Sequence, residues 1–330
     1  MAAAPAPLVR VVRSGLEESV HLGDVAVCDA RGRVIASAGD PDRLTFARSC
    51  TKPVQGSVSL AAIGEDLPDR LIAIVCASHN GEPVHIDAVR AVLRRGGLGA
   101  GDLKTPADRP SDPASAARVR TPRPIFHNCS GKHAGMLLAS ARNGWATETY
   151  RSRSHPLQRR VLVAVRALSG HDDLVLGVDG CGVPVHGMPL RAIATMYARI
   201  AEPDRTGALE PDVRRVVAAM RGNPYLVGGR HREDTAIMEA TDDVVAKEGA
   251  EALECAAALG AGLGIAVKVR DGGYRAAGPA MLAVLDRLGL LTPGARRRLR
   301  RLASPPVLGG GRPVGRLEPV VRLHGRRVGT

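Results

Sequence analysis

Apolar and polar positions along the first part of the chain predict paired strands. Residues 21–29 (HLGDVAVCD) are apolar-rich, 30–33 supply a glycine-containing turn, and 34–38 run back. Residues 264–270 (GIAVKVR) mirror this arrangement late in the chain, with a turn at Asp271-Gly272-Gly273 and a returning strand over 274–277. Helical spacing of apolar residues then predicts a helix over 279–288. Between the two ends the same spacing predicts helices over 54–63, 86–95, 134–142, 157–168, 189–201 and 213–220. Two apolar runs, 71–77 (LIAIVCA) and 174–177, are expected as strands, and the Pro/Asp/Ser/Arg-rich stretch 104–122 as a long loop. No internal repeat is visible.

Strands from both chain ends with helices between them imply an α/β (α+β) fold. One antiparallel sheet would be built from N- and C-terminal strands, flanked by helices and joined by a helical lobe. The whole chain, 1–330, is expected to form one domain of two lobes, with a cleft between sheet edge and helices. No run of 18 apolar residues occurs and no secretory signal pattern opens the chain, so a cytoplasmic protein without a membrane partner is expected. Six cysteines in 330 residues do not suggest a disulfide scaffold.

Charge changes the picture less than its size suggests. Of the formal +13, residues 291–330 hold ten arginines and one glutamate, a local +9, which leaves +4 for the other 290 residues. A basic tail can hold phosphates nonspecifically, but aromatic residues are 2% of the chain and stacking platforms for single strands are lacking. No nucleic-acid partner is expected; the tail reads as solvated surface. More telling is that only five of the 46 basic residues are lysine: Lys52, Lys104, Lys132, Lys247 and Lys268. A buried amine can lose its proton and a guanidinium cannot, so lysines that persist amid arginine point to lysine chemistry.

Three motifs carry candidate chemistry. Ser49 and Lys52 in RSCTKP are three residues apart, so on a helix they share a face, and Pro53 suits a helix's first turn. A serine at that helix start with a neutral lysine one turn on follows the Ser-x-x-Lys logic of serine β-lactamases and penicillin-binding proteins. The plainer alternative is a capping serine beside a surface lysine. Ser78-His79-Asn80 and Lys247-Glu248-Gly249 follow as Ser-x-Asn and Lys-x-Gly elements in the order expected of that class; alone, each also fits a turn residue or a surface helix residue. In HNCSGKHAG (127–135) and VDGCGVP (178–184), Cys129 and Cys181 could hold zinc with a contribution from His127, His133 or Lys132, or could be buried free thiols.

These segments, with HREDTAIM (231–238), KEGAE (247–251) and GIAVKVRDGG (264–273), resemble the asparaginase II family of bacterial thermolabile asparaginases, whose fold is similar to serine β-lactamases and glutaminases. The resemblance runs from about residue 8 to 325. It implies an L-asparaginase that hydrolyses L-asparagine to L-aspartate and ammonia and works as a homodimer. Ser49 would be the nucleophile and Lys52 its base, with Ser78 and Lys247 as a second Ser–Lys pair. Arg48, Asn80 and Asp179 would bind substrate, and Cys129, Lys132 and Cys181 would hold zinc. The alternatives are a noncatalytic metal-binding protein, or a glutaminase or other serine amidohydrolase of the same fold. Two positions depart from the family pattern: Ala252 stands where a glycine is expected, and the loop after Leu103 reads KTPADRP where a Cys-Gly-x-His-x-Pro-like stretch is expected.

Overall fold

Nine strands from the two ends of the chain form one antiparallel sheet in the computed structural model, which describes residues 3–64 and 66–325. From the N-terminal end come β1 (Ala6–Arg13), β2 (Leu16–Asp29) and β3 (Val34–Ala38). From the C-terminal end come β7 (Val244–Gly249), β8 (Leu253–Ala258), β9 (Leu263–Val269), β10 (Pro306–Gly309), β11 (Arg312–Pro319) and β12 (His324–Gly325). The order is β10-β11-β1-β2-β9-β8-β7, with β3 on β2 and β12 on β3. Strand β2 is 14 residues long and serves two partners along one edge, β1 at its first half and β3 at its second, while β9 takes the other edge. The predicted hairpin of 21–29 with 34–38 is therefore present, and the sheet core made from both chain ends is as expected.

A second sheet, β4-β6-β5, is small: β4 (Leu44–Phe46), β5 (Val175–Val178) and β6 (Pro184–Pro189). Twelve α-helices complete the described residues: α1 (Lys52–Ile63), α2 (Asp69–Val75), α3 (Pro83–Arg95), α4 (Pro113–Ala116), α5 (Ser130–Arg142) and α6 (Pro156–Ser169), then α7 (Leu190–Ala201), α8 (Glu210–Gly222), α9 (Pro224–Val227), α10 (Glu233–Ala240), α11 (Ala277–Arg287) and α12 (Pro293–Ala303). Helix α7 lies on the main sheet against β2, β8 and β9, and α1, α5 and α8 pack together as the centre of the helical side. No described helix is long and apolar enough to cross a membrane.

Two expected strands are not strands. Residues 71–77 fall mostly in helix α2, wholly buried from Leu71 to Val75. A short apolar run lacks the polar positions that would reveal its period, so buried helix and buried strand look alike in sequence. The helix is covered by α5, whose Gly131 and Gly135 both face it. A Cβ on Gly131 would stand 2.1 Å from the Ile74 carbonyl oxygen, and one on Gly135 2.6 Å from a Val75 methyl. Two glycines one turn apart let the helices approach to backbone contact. Residues 274–277 do not return along β9 either. The Ala276 N–H bonds the Gly273 carbonyl at 3.0 Å, a turn that feeds directly into α11. The loop at 104–122 is irregular as expected, apart from α4 capped by the Asp112 carboxylate. The basic tail is partly regular, as α12 and the β10–β11 hairpin, while its residues 326–330 lie outside the described part.

Candidate active site

The small sheet delivers the chain to its most reactive segment. After Phe46 ends β4, the Ala47 N–H donates to the His186 carbonyl of β6 at 2.9 Å, and a tight 3-10 turn, Arg48–Thr51, leads straight into α1. Arg48 adopts φ +45°, a left-handed conformation that disfavours a side-chain-bearing residue. The turn is held against that strain by the Thr51 hydroxyl donating to the Arg48 carbonyl at 2.8 Å and the Tyr197 hydroxyl donating to the Cys50 carbonyl at 2.9 Å. Ser49 is left half-buried in this turn, just before α1 and near the positive end of that helix. Pro53 sits in the first helical turn, as its sequence position predicted.

Beneath Ser49 the site is floored with lysine. Lys52 is fully buried, and its Nζ donates to the Ala77 carbonyl at 2.5 Å and to Ser78 Oγ at 2.8 Å. Burial pushes its pKa down to about 8; Cys129 opposes that shift, and the cations Lys132 and Lys247 reinforce it. The amine is thus poised to be neutral just above physiological pH.

Lys247 has a different environment. It lies on β7, all six residues of which are buried, and its ammonium pairs with the carboxylate of Asp234 on α10; neither side chain has any exposure. The Thr235 N–H holds the other carboxylate oxygen at 2.9 Å. Burial works against charge on both, yet Asp234 and Glu248 raise the Lys247 pKa, and Lys247 and Arg232 lower that of Asp234. Lys247 is therefore held as a cation. Ser78, expected opposite Lys247, instead receives the hydrogen bond of Lys52. Nothing in the spacing of HREDTAIM (231–238) ties Asp234 to Lys247.

The second motif converges on the same place. Lys132, in the first turn of α5, donates from Nζ to Cys181 Sγ at 3.1 Å. The two thiols share a hydrogen bond that drives the Cys129 pKa well below its usual value and raises that of Cys181, with burial pushing both up. Burial disfavours the Lys132 ammonium, but Cys181, Cys129 and Asp179 together raise its pKa. The result is two thiol groups and an amine packed together. Two soft sulfurs and one amine at such range are a donor set that fits zinc, provided the amine gives up its proton. The amine is indispensable to it, since no group of three His, Cys, Asp or Glu side chains among the described residues could hold a metal. His133 Nδ1 is 2.6 Å from the Tyr150 hydroxyl, and its buried Nε2 has no hydrogen-bond partner among the described residues.

The rim is built by Arg48 and Asp179, paired at 2.8 Å between Nε and Oδ1. Asp179 follows β5, so the small sheet brings the two chain segments together. Asn80 is engaged by the protein itself. Its Nδ2 donates to the Arg230 carbonyl at 2.8 Å and its Oδ1 accepts from Ser111 at 3.2 Å. The Asp112 N–H also bonds the Asn80 carbonyl at 3.2 Å, so the loop that departs from the family pattern after Leu103 does reach the Ser78–Asn80 element. The adjacent His79 accepts from the Gly81 N–H at Nδ1, so its Nε2 carries the proton toward Ser130 Oγ at 2.9 Å, and burial keeps the ring neutral.

Curated proteins return no match. Among solved structures, a β-lactamase from Mycobacterium bovis is 15% identical with a TM-score of 0.43, covering 80% of this chain and 94% of its own. A protein from Bacillus subtilis described as a probable glutaminase, complexed with 6-diazo-5-oxo-L-norleucine, is 13% identical with a TM-score of 0.40, covering 82% and 84%. The family described as L-asparaginase II matches residues 9–319, which spans every residue of the site, and the chain belongs to that family.

Proposed function

We propose that the protein hydrolyses L-asparagine to L-aspartate and ammonia through an acyl-enzyme on Ser49. Family membership supports the amidohydrolase class. The observation that carries the mechanism is Lys52: a wholly buried lysine, one helical turn from Ser49, with its pKa pushed down to about 8. In the proposed reaction Ser49 Oγ attacks the side-chain amide carbon while its proton passes to neutral Lys52. The tetrahedral oxyanion is stabilised by backbone N–H groups near Ser49. Collapse breaks the C–N bond, the proton on Lys52 moves to the departing nitrogen, and ammonia leaves. Water, deprotonated by Lys52, then attacks the aspartyl ester and releases Ser49. Lys247, paired with Asp234, remains a cation throughout and helps keep Lys52 neutral. Arg48 and Asp179 provide opposite charges at the rim for the substrate's α-carboxylate and α-ammonium.

Cys129, Lys132 and Cys181 would hold zinc. When bound, the metal would fix the two loops and orient the substrate, because serine already supplies the nucleophile. The proposal is tested by ammonia release from asparagine, glutamine and ampicillin by the purified protein, beside Ser49→Ala. Asparagine turnover that disappears in Ser49→Ala supports it; asparagine turnover undiminished in Ser49→Ala would falsify it. Elemental analysis should find about one zinc per chain, with a sharp fall in Cys181→Ser. Zinc retained in full by that variant would remove Cys181 from the ligand set.

A further inference from the structure

The loop that follows β9 carries an aromatic side chain whose role the reaction leaves open. It is firmly anchored. Arg270 makes two hydrogen bonds to the buried Asp24, at 2.7 and 2.9 Å. Asp271 pairs with His21 Nδ1 at 2.7 Å, and Arg275 donates to His21 Nε2 at 2.9 Å. Between these fixed residues Tyr274 stands half-exposed, in a chain with only seven aromatic side chains of Phe, Tyr and Trp. Its hydroxyl donates to the Gly249 carbonyl at 3.2 Å, at the end of β7. Gly249 in turn lies against Cys50, the neighbour of Ser49: a Cβ there would stand 3.0 Å from the thiol. The charges of Glu248, Arg232 and Arg48 all reach the phenol. Strand β7 is the edge of the sheet, so nothing from the sheet itself covers this side.

We infer that the Tyr274 ring forms the wall of the substrate site over the β7 edge and sets the length of amide side chain admitted there. This rests on the amidohydrolase reading above. The loop that carries the ring is pinned at both sides, so the ring cannot be carried aside for a longer substrate without breaking those bonds. Discrimination between two amides that differ by one methylene needs such a stiff wall, since a methylene in a yielding pocket is discriminated weakly.

The test is the ratio of kcat/KM for asparagine over glutamine, read by ammonia release in Tyr274→Ala, Tyr274→Phe and Tyr274→Trp, with circular dichroism to check folding. Tyr274→Ala should lower the ratio at least fivefold, mainly through KM, while Tyr274→Phe should stay within twofold of wild type. If Tyr274→Ala does not fold, Tyr274→Trp carries the test, and its thicker wall should raise the ratio. A ratio within twofold of wild type in the folded Ala variant, or in the Trp variant where that serves instead, overturns the inference. A Phe variant that shifts the ratio as far as Ala overturns it too, because the hydroxyl and not the ring would then select. Wild type that releases ammonia from neither amide would sink the amidohydrolase reading and this inference with it; asparagine turnover with unmoved ratios would sink this inference alone.

Discussion

Lysines beneath Ser49 and arginines on α12 carry the same sign of charge in opposite settings. Lys52, Lys132 and Lys247 are buried, Lys52 within reach of the charge of the other two, and each meets a different partner: a serine, a pair of thiols and a carboxylate. Helix α12 presents Arg296, Arg297, Arg298, Arg300 and Arg301 to solvent, over a buried stripe of Ala295 and Leu299. An ammonium taken out of water responds strongly to its surroundings, and its protonation can be set by them. A solvated guanidinium stays charged whatever surrounds it. The contrast accounts for three of the five lysines among 46 basic residues: all three are buried where a bulkier guanidinium would not fit, and at Lys52 a guanidinium could not exchange a proton.

The largest effect should come from removing the group that the lysine floor serves. Ser49→Ala should lower kcat by about four orders of magnitude or more, with thermal unfolding unchanged, because a half-buried hydroxyl is lost and no packing is. Retention of more than about a tenth of wild-type activity would mean that the floor serves another nucleophile.

Lys52→Arg keeps the charge and removes the proton exchange. It should cost about 10³-fold in kcat/KM, in the range of a lost general base, and should lower the melting temperature because the fully buried pocket has no room for a guanidinium. The wild-type pH profile checks the same point. With Lys52 held near 8, only the neutral amine is active, so log kcat/KM should rise by about one per pH unit below 8 and level off above it. A profile flat from pH 6 to 9 would break the assignment of Lys52 as base.

Asp234→Asn leaves the Lys247 ammonium buried without its counter-charge. Breaking a buried pair in this way costs about 3–5 kcal/mol, measurable by denaturant unfolding, and the double variant Asp234→Asn/Lys247→Met should recover much of it. A single-variant loss under about 1 kcal/mol would show that Lys247 is neutral or solvated. It would then be the better partner for Ser78.

Much of this was legible before any coordinates. The hairpin of 21–29 with 34–38 has apolar residues bounded by a turn, and the helices of the middle of the chain have a clear period, so both were readable. The motifs single out Ser49, Lys52, Cys129, Lys132 and Cys181 as candidates, and the family resemblance rather than their spacing implies that they lie together. The partners were not legible. A motif records which residues share a function but not which atom faces which, and so Ser78 was placed opposite Lys247 when Lys52 holds it. Asp234 lies in a segment read only as part of a motif and Tyr274 in one expected as a strand, and neither reading pairs Asp234 with Lys247 or Tyr274 with Gly249. Even one departure from the family pattern has a local reason for notice: Ala252 adopts φ +52° in the β7–β8 turn, a conformation that glycine takes at no steric cost.

The smallest effect belongs to the other half of the comparison. Arg297 and Arg301 are exposed on α12 and take no ion pair among the described residues, unlike Arg296, which pairs with Asp286. Replacing both with glutamine removes two charges, keeps good helix formers and leaves Ala295 and Leu299 packed. Stability should change by no more than about 0.5 kcal/mol, as for most surface substitutions. The kcat/KM for asparagine should stay within twofold of wild type at 0.15 M salt, where the Debye length is about 8 Å and screening removes any long-range pull on a zwitterionic substrate. Repeating the measurement at 0.01 M salt separates two outcomes. An unchanged ratio of variant to wild type confirms that these arginines only solvate the surface. A drop that appears at low salt and vanishes at high salt would mean that α12 adds to the field at Ser49, and the division between a reactive buried set of cations and an inert exposed one would have to be redrawn.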